Sequence, residues 1–477
     1  MEAVIPKPHL FIDGEWIATG AGEQALINPA TEQRIGSVPH ASAAQLDAAL
    51  DAAARGFAQW RRVQPYDRSK ILRRAADLIR ERSDAIARQI TTEKGKTLGE
   101  AKGEVLGAAD TFDWYAEEGR RAYGRIVPPR EYGHRWLVMK EPVGPVAAFS
   151  PWNFPAMLSA RKIAASLAAG CSCILKPAEE TPSAALAFAR ALQDAGLPNG
   201  VLNVVLGVPD TISTHLIRSP IIKKLTFTGS TAIGKHLARM AADSMKKATF
   251  ELGGHSPVIV FDDVDIDHVV QVLLPGKIRN AGQVCIAPTR FYVQEGIFGR
   301  FSDAFAKALA SVKVGDGLDA QNHMGAMANG RRIDAMARLV DDAHRAGGKV
   351  LAGGARASDS GFFWQPTLLA EVPDTAHVMN EEPFGPIAIA NPFRTIEDAV
   401  AQANRLPYGL AAYAFTQSSR RSIDVASALE AGVVGINNLT VSTAEAPFGG
   451  IKESGYGSEA GQEGLEAFLN TKFVSEA

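Results

Sequence analysis

The sequence predicts an α/β fold with a parallel sheet covered by helices on both faces. Two observations predict it. From Val143 onward, short apolar strands alternate with amphipathic helices, and strands buried on both faces read as continuous apolar runs in this way. The alternation starts again at "SPVIVF" and continues to about "GVVGINN", so a second large α/β unit succeeds the first. In such sheets ligands sit beyond the carboxyl ends of the strands.

From Ser42, Leu46, Ala49, Leu50, Ala53, Phe57 and Trp60 recur at three- and four-residue steps, with Ser42 and Gln45 spaced as a capping box. A second helix is expected after Pro65, through "PYDRSKILRRAADLIRERSDAIARQI", with Ile71, Leu72, Ala75, Leu78, Ile79 and Ile86 on one side. A third is expected from about Leu98 to Glu118. Between Arg120 and Lys140 the chain turns Gly, Pro, Arg and Tyr rich, as in an extended hairpin leaving the main body. The first α/β block then runs through strands "GPVAAFS", "CSCILK", "VLNVVL", "KKLTFT" and "KATFEL". Helices are expected near Met157 to Ala169, from Pro182 to Asp194, after Pro209 and from Ser230. The tail after Tyr456 is glycine-rich and then strand-like at "EAFLNTKFV".

The totals narrow the function. A chain of 477 residues, 46% hydrophobic and 21% charged, can bury large cores and divide into two or three domains. Its net charge of -2, without long runs of one sign, points to neither a nucleic-acid nor a membrane-surface partner. Three cysteines, Cys171, Cys173 and Cys285, make neither a disulfide framework nor zinc-site spacing. No metal is expected. A reducing compartment and a cytoplasmic location are expected, since "MEAVIPKPHLFIDGEW" lacks a signal-peptide core and no apolar run approaches a membrane span.

Five stretches carry candidate chemistry, each beside an ordinary alternative. "FTGSTAIGK" ends a strand and opens a helix: Gly229, Ser230 and Gly234 could hold a phosphate on first-turn amides, or simply pack helix on strand. "ILKPAEET" puts Lys176 and Glu179 at a strand end, where they suit the ribose hydroxyls of an adenosine or form a solvated turn. In "SPWNFP" two prolines stiffen Trp152 and Asn153; the Asn153 amide could donate to an oxyanion or merely form a turn. "FELGGHSP" places Glu251 before two glycines, either as a desolvated general base or as a strand-end carboxylate. Finally, "NAGQVCIAP" sets Cys285 among small residues that leave room for a substrate, whereas Cys171 and Cys173 sit in an apolar strand and behave as small hydrophobes.

Together with "EEPFGP" and "PFGGIKESG", these motifs resemble the NAD(P)-dependent aldehyde dehydrogenase family over essentially the whole chain. The resemblance implies a Rossmann-like cofactor domain (1–119 and 142–250), an α/β catalytic domain (251–450) and a small β oligomerisation element (120–141 and 451–477). A homodimer or homotetramer is then expected. It also implies Cys285 as nucleophile, Glu251 as general base and Asn153 as oxyanion donor. Trp152, Lys176, Glu179, Gly229, Ser230, Gly234, Glu382 and Phe384 become the cofactor contacts. NAD is favoured over NADP, because Glu179 would repel a 2'-phosphate.

Arg161 and Arg279 lie six residues beyond Pro155 and six before Cys285. With Ser442 they resemble the carboxylate contacts of the succinate-semialdehyde dehydrogenase branch, which implies an anionic aldehyde; alternatively, either arginine pairs with a glutamate across the domain junction. Ala287 stands where some members of that branch carry a second cysteine, so no thiol switch is expected. The residues "CIAPTR" depart from that branch and keep lactaldehyde and other semialdehydes in view. Two rivals of other classes are a cofactor-independent cysteine esterase or thioesterase and an idle scaffold that kept the fold.

Overall fold

The computed structural model describes residues 5–477. Its first sheet takes eight strands among the described residues, in the order Glu15–Ile17, Leu10–Ile12, Leu202–Val204, Cys173–Lys176, Val146–Phe149, Lys224–Thr228, Lys247–Glu251 and Gly455–Tyr456. The five strands from 146 to 251 are parallel, and short antiparallel strands close both edges. Register aligns their carboxyl ends. Phe149 stands opposite Lys176 and Phe227, and Thr228 opposite Glu251, so these strands end in one row.

The helices form as their sequences dictate. Helix α1 (Ala43–Trp60) begins with the Ser42/Gln45 capping box and buries Leu46, Ala49, Leu50, Ala53 and Trp60. The second expected helix is two: α2 (Pro65–Glu81) and α3 (Ser83–Lys94) are separated at Arg82, whose φ of -101° and ψ of 5° leave the helical region. The apolar periodicity continues across this break without Gly or Pro, so spacing alone could not reveal it. Helix α4 (Leu98–Glu118) has the predicted bounds and opens with a Thr97/Glu100 capping box. Around the first sheet lie α5 (Pro155–Ala169), α6 (Ser183–Asp194), α7 (Pro209–Arg218) and α8 (Thr231–Ala242). The strands Leu10–Ile12 and Glu15–Ile17, and the hairpin Gly22–Ile27 with Arg34–His40, lie ahead of α1, in a region to which the sequence assigns no element.

The second sheet has seven strands, ordered Lys349–Ala352, Thr367–Ala370, Ile387–Phe393, Arg290–Gln294, Pro257–Val260, Ala411–Phe415 and Val433–Ile436. All its pairs are parallel except that of the edge strand Lys349–Ala352. Helix α9 (Ile266–Ile278) leads into the turn before Cys285. A third sheet joins Arg125–Val127 and Arg135–Pro142 to the terminal strand Leu469–Glu476. Of the stretch 451–477, therefore, only this terminal strand joins the hairpin. Ile451–Lys452 pairs with Tyr408–Gly409, and Gly455–Tyr456 extends the first sheet.

Trp60 is fully buried against α5, where its indole N–H donates to the Leu167 carbonyl at 2.9 Å. Replacement by alanine opens a cavity and removes this hydrogen bond, leaving the Leu167 carbonyl with the Gly170 N–H at 3.0 Å alone. Trp60→Ala is expected to cost about 3–5 kcal/mol, seen as a lowered thermal unfolding midpoint.

Candidate active site

The first sheet's carboxyl edge faces loops that precede strands of the second sheet. Pro151–Phe154 follows Phe149, Gly229 and Ser230 follow Thr228, and Glu251 ends its own strand. Opposite them, Cys285 lies ahead of strand Arg290–Gln294, and Glu382 and Phe384 ahead of strand Ile387–Phe393. Between them lies a cavity of about 570 Å³, lined by Trp152, Asn153, Arg161, Gly229, Ser230, Glu251, Arg279, Cys285, Glu382, Phe384 and Ser442 among others. Ligand groups therefore come from the carboxyl ends of one sheet and the amino ends of the other.

The turn carrying Cys285 is built from left-handed backbone. Asn280, Ala281 and Gly282 have φ of 51°, 52° and 69°. At Gly282 a side chain is impossible for a second reason, since a Cβ would stand 2.1 Å from the Gly385 carbonyl oxygen. This contact presses the Cys285 turn onto the loop bearing Phe384. The turn's far side is pinned by the Tyr413 hydroxyl, which donates to the Ile286 carbonyl at 2.8 Å. The buried Lys277 amine donates to Pro288 O at 3.1 Å and Ile387 O at 2.7 Å, tying both loops to α9.

Asn153 is held from both ends. Its amide donates to the Gln283 carbonyl at 3.2 Å, leaving one N–H free, and its own carbonyl accepts from Lys96 Nζ at 2.8 Å. Lys96 also meets Glu104 at 2.6 Å, and Glu104 accepts from the first-turn amides of Ala156 and Met157 at 2.8 and 3.1 Å. The backbone N–H of Cys285 lies against its own thiol.

The electrostatics favour neutral acids. Burial raises Glu251 well above the usual carboxylate range and the nearby Glu459 adds to it, while Lys162 and Arg161 oppose both. Both Glu251 oxygens are buried without a partner, as a carboxyl reserved for a ligand or water would be. Behind it, Lys162 Nζ pairs with Glu459 and donates to Thr228 Oγ1 at 2.8 Å. The Cys285 thiol is half-buried and pushed up to about 12 by burial, then by Glu382 and Glu251, with Arg161 pulling down. Glu382 itself is raised to about 8 by burial, against the Gly254 amide and Arg332.

The cavity fits a dinucleotide at one end. Ser230 caps α8 without a side-chain bond to the first turn, so first-turn amides stay available beside the cavity for an anionic group. Trp152 and Phe384 meet edge to face at 5.4 Å on the wall, an apolar seat for a planar ring. Lys176 and Glu179 sit apart from this wall, both buried and paired with each other at 2.5 Å at the end of the neighbouring strand. Gly234 is also outside it: a Cβ there would meet Leu252 Cδ2 at 2.3 Å, so this glycine serves helix-on-strand packing.

At the other end stand the two arginines. Arg161 is 3% exposed, donates to Ser442 Oγ at 2.7 Å and stacks on Phe448, and its Nε is buried without a partner. Arg279 is exposed and stacks on Phe154 at 4.8 Å. Among the described residues neither pairs with a carboxylate, which removes the alternative of a glutamate across the domain junction. Among those residues, too, no group of three or more His, Cys, Asp or Glu is placed to hold a metal ion, and no helix is long and apolar enough to cross a membrane. Sequence reasoning missed Lys96, Glu100, Glu104, Lys277, Asn280 and Arg332. Lys96 and Glu104 are eight residues apart, but their contacts with Asn153 and Ala156, like those of Glu100 with Asn280 and of Arg332 with Phe384, cross to distant parts of the chain, and only the capping-box spacing at Thr97/Glu100 offered a signal.

A free thiol, an unpartnered carboxyl and an amide converge on one cavity between two largely parallel sheets, the layout of an α/β enzyme with its site at the sheet edges. The family model for the aldehyde dehydrogenase family matches residues 16–474, and the chain belongs to that family. It is 49% identical to the 4-(hydroxymethyl)benzenesulfonate dehydrogenase of Comamonas testosteroni over 98% of both chains. With the NADP(+) succinate-semialdehyde dehydrogenase of Escherichia coli (strain K12) it shares 43%, over 98% of this chain and 97% of that one. The crystal structure of succinate-semialdehyde dehydrogenase from Burkholderia pseudomallei superposes with a TM-score of 0.98 at 41% identity, covering 100% of this chain and 99% of that one. The chain is thus an enzyme that oxidises an aldehyde with NAD(P).

A thiol with so high a pKa reacts only through its small thiolate fraction. Alkylation of Cys285 by iodoacetamide in the dinucleotide-free protein is expected to rise with pH through pH 10 without levelling. Above about pH 8, where Glu382 is charged, Glu382→Gln is expected to lower the thiol pKa and speed the reaction at fixed pH. A plateau near pH 8 in the unaltered protein would contradict so high a thiol pKa.

Proposed function

We propose that the aldehyde carries a distal anionic group, with succinate semialdehyde the reference substrate, and that Cys285, Glu251 and Asn153 are nucleophile, general base and oxyanion donor. One observation carries this reading. The buried Arg161 guanidinium, steadied by Ser442 and lacking a counter-ion, opens on the same cavity as Cys285. A buried unpaired charge is costly, and a substrate carboxylate would neutralise it. Arg279 adds a second guanidinium at the rim.

The residues then divide the work. The thiolate of Cys285 bonds to the aldehyde carbon, and the carbonyl oxygen becomes an oxyanion. The free N–H of Asn153 and the Cys285 amide stabilise that oxyanion, each worth about 3 kcal/mol. Trp152, Gly229, Ser230, Glu382 and Phe384 hold the dinucleotide, with Lys176 and Glu179 toward its adenosine end. When bound, that cofactor supplies the two-electron acceptor that takes the substrate to the acyl level. Cys285 keeps the acyl group as a thioester. Glu251, in its ionised form, then takes a proton from water, the water oxygen adds to the acyl carbon, and the C–S bond breaks to release the acid and the Cys285 thiolate, which regains the proton from Glu251 as the thiol is restored. Burial keeps Glu251 a stronger base than an exposed carboxylate would be.

Glu179 supports NAD over NADP, as its carboxylate leaves no room for a 2'-phosphate charge. The sheet formed by Arg125–Val127, Arg135–Pro142 and Leu469–Glu476 is read as the surface through which copies assemble, in a cytoplasmic homo-oligomer. A second substrate reading, an aromatic aldehyde bearing a sulfonate, draws support from the 49% identity to a benzenesulfonate dehydrogenase and from the Phe154 and Phe448 walls.

Following NADH absorbance, kcat/KM for succinate semialdehyde is expected to exceed that for butanal by roughly 10–100-fold, the worth of one or two charge-assisted hydrogen bonds. Arg279→Ala should close most of that gap; an unchanged preference would remove the arginines from substrate binding. Including 4-formylbenzenesulfonate separates the two substrate readings. Cys285→Ala should abolish turnover, and Asn153→Ala should lower kcat by about 10²–10³. Comparable efficiency with NADP would overturn the role given to Glu179.

A further inference from the structure

We propose that Asn280 is a positioning residue that sets the Asn153 amide against Cys285, and that Glu100 seats it from α4. The inference rests on the roles proposed above for Cys285 and Asn153.

The geometry is a closed ring. The Asn280 side-chain amide, in a residue 1% exposed, donates to Asn153 O at 2.9 Å and to Gln283 O at 3.0 Å. Asn153 in turn donates its side-chain amide to the same Gln283 carbonyl. Two loops 127 residues apart are thus joined by two hydrogen bonds, and a third within the Asn280–Gln283 turn closes the ring, the three sharing two backbone carbonyls. From outside the ring, Gln283 Nε2 returns to Asn280 O at 2.9 Å, and Gln283 Oε1 accepts from Ala328 N at 2.9 Å.

Glu100 fixes the ring in space. One carboxylate oxygen accepts from the Asn280 backbone N–H at 2.8 Å, and the other closes the α4 capping box on Thr97 N at 3.0 Å. The start of α4 therefore carries two anchors close in sequence. Glu100 grips the nucleophile turn, and Glu104 grips the first turn of α5 beyond Asn153.

Both amide protons of Asn280 are spent on backbone carbonyls, so none remains for a substrate. Its effect must pass through Asn153. That residue has one N–H in the ring and one free, and the ring decides where the free one points. A displacement of 1 Å at such a donor can cost about 10²-fold in rate.

A simpler role competes: asparagine tolerates the left-handed backbone found here, with φ at 51°. Asn280→Gly separates the two, because glycine takes that conformation at least as readily but has no amide. If the amide matters, Asn280→Gly lowers kcat by about tenfold or more, with KM for NAD and aldehyde within about twofold. Hydrolysis of p-nitrophenyl acetate without dinucleotide, which also passes through an oxyanion at Cys285, should fall in parallel. Alkylation of Cys285 by iodoacetamide, which forms no oxyanion, should stay within about twofold. Normal kcat in Asn280→Gly overturns the proposal, as does an equal loss of alkylation rate, which would mean the thiol itself had moved. Should that variant not fold, Glu100→Ala, which removes only the support of the Asn280 N–H and the α4 cap, is expected to show the same selective loss of kcat, and normal kcat there counts against the proposal. Cys285→Ala is run alongside. Its retained turnover would sink the catalytic assignment, whereas a dead Cys285→Ala with normal Asn280→Gly sinks only the positioning role.

Discussion

The buried ion pair of Lys96 and Glu104 is the constraint on which the rest of the site leans. Each charge satisfies backbone as well as its partner. Lys96 holds the Asn153 carbonyl, and Glu104 takes the orphan first-turn amides of α5, where the helix dipole also favours a negative charge. Removing either partner would leave a desolvated charge, which costs far more than an intact pair contributes. The turn Pro151–Phe154 and the start of the helix bearing Arg161 and Lys162 are consequently tied to each other through this pair.

A second level of organisation is electrostatic. Cys285, Glu251 and Glu382 share one cavity, and burial pushes each toward its neutral form. Arg161 opposes this at both Cys285 and Glu251. An anion that neutralised Arg161 would therefore also change the field at Cys285 and Glu251. The charge on this guanidinium and the protonation of the two acids belong to one coupled system.

Much of this was legible in the sequence where signals are local. The capping boxes at Ser42 and Thr97, the bounds of α4 and the strand series from Val146 to Glu251 arise from spacings within a few residues. The motif residues Asn153, Glu251 and Cys285 do share a cavity. What could not be read was set at long range or by backbone angle. The break at Arg82 lies in dihedrals that no apolar pattern records, and three-residue strands such as Leu10–Ile12 are too short to show a period. At Gly234 the sequence could not separate a phosphate contact from helix packing, because both demand the same residue, and the close approach of Leu252 is visible only in three dimensions. Asn280 and Glu100 find each other across 180 residues, and spacing along the chain cannot show that bond.

The path of the carboxy-terminal segment has a consequence of its own. After pairing with the edge of the first sheet, the chain passes behind Glu251, where Glu459 meets Lys162, and only then reaches the outer sheet through Leu469–Glu476. One ribbon thus joins the charge cluster at Glu251 to the outermost strand, so a displacement of that strand has a covalent route to the charge balance around Glu251.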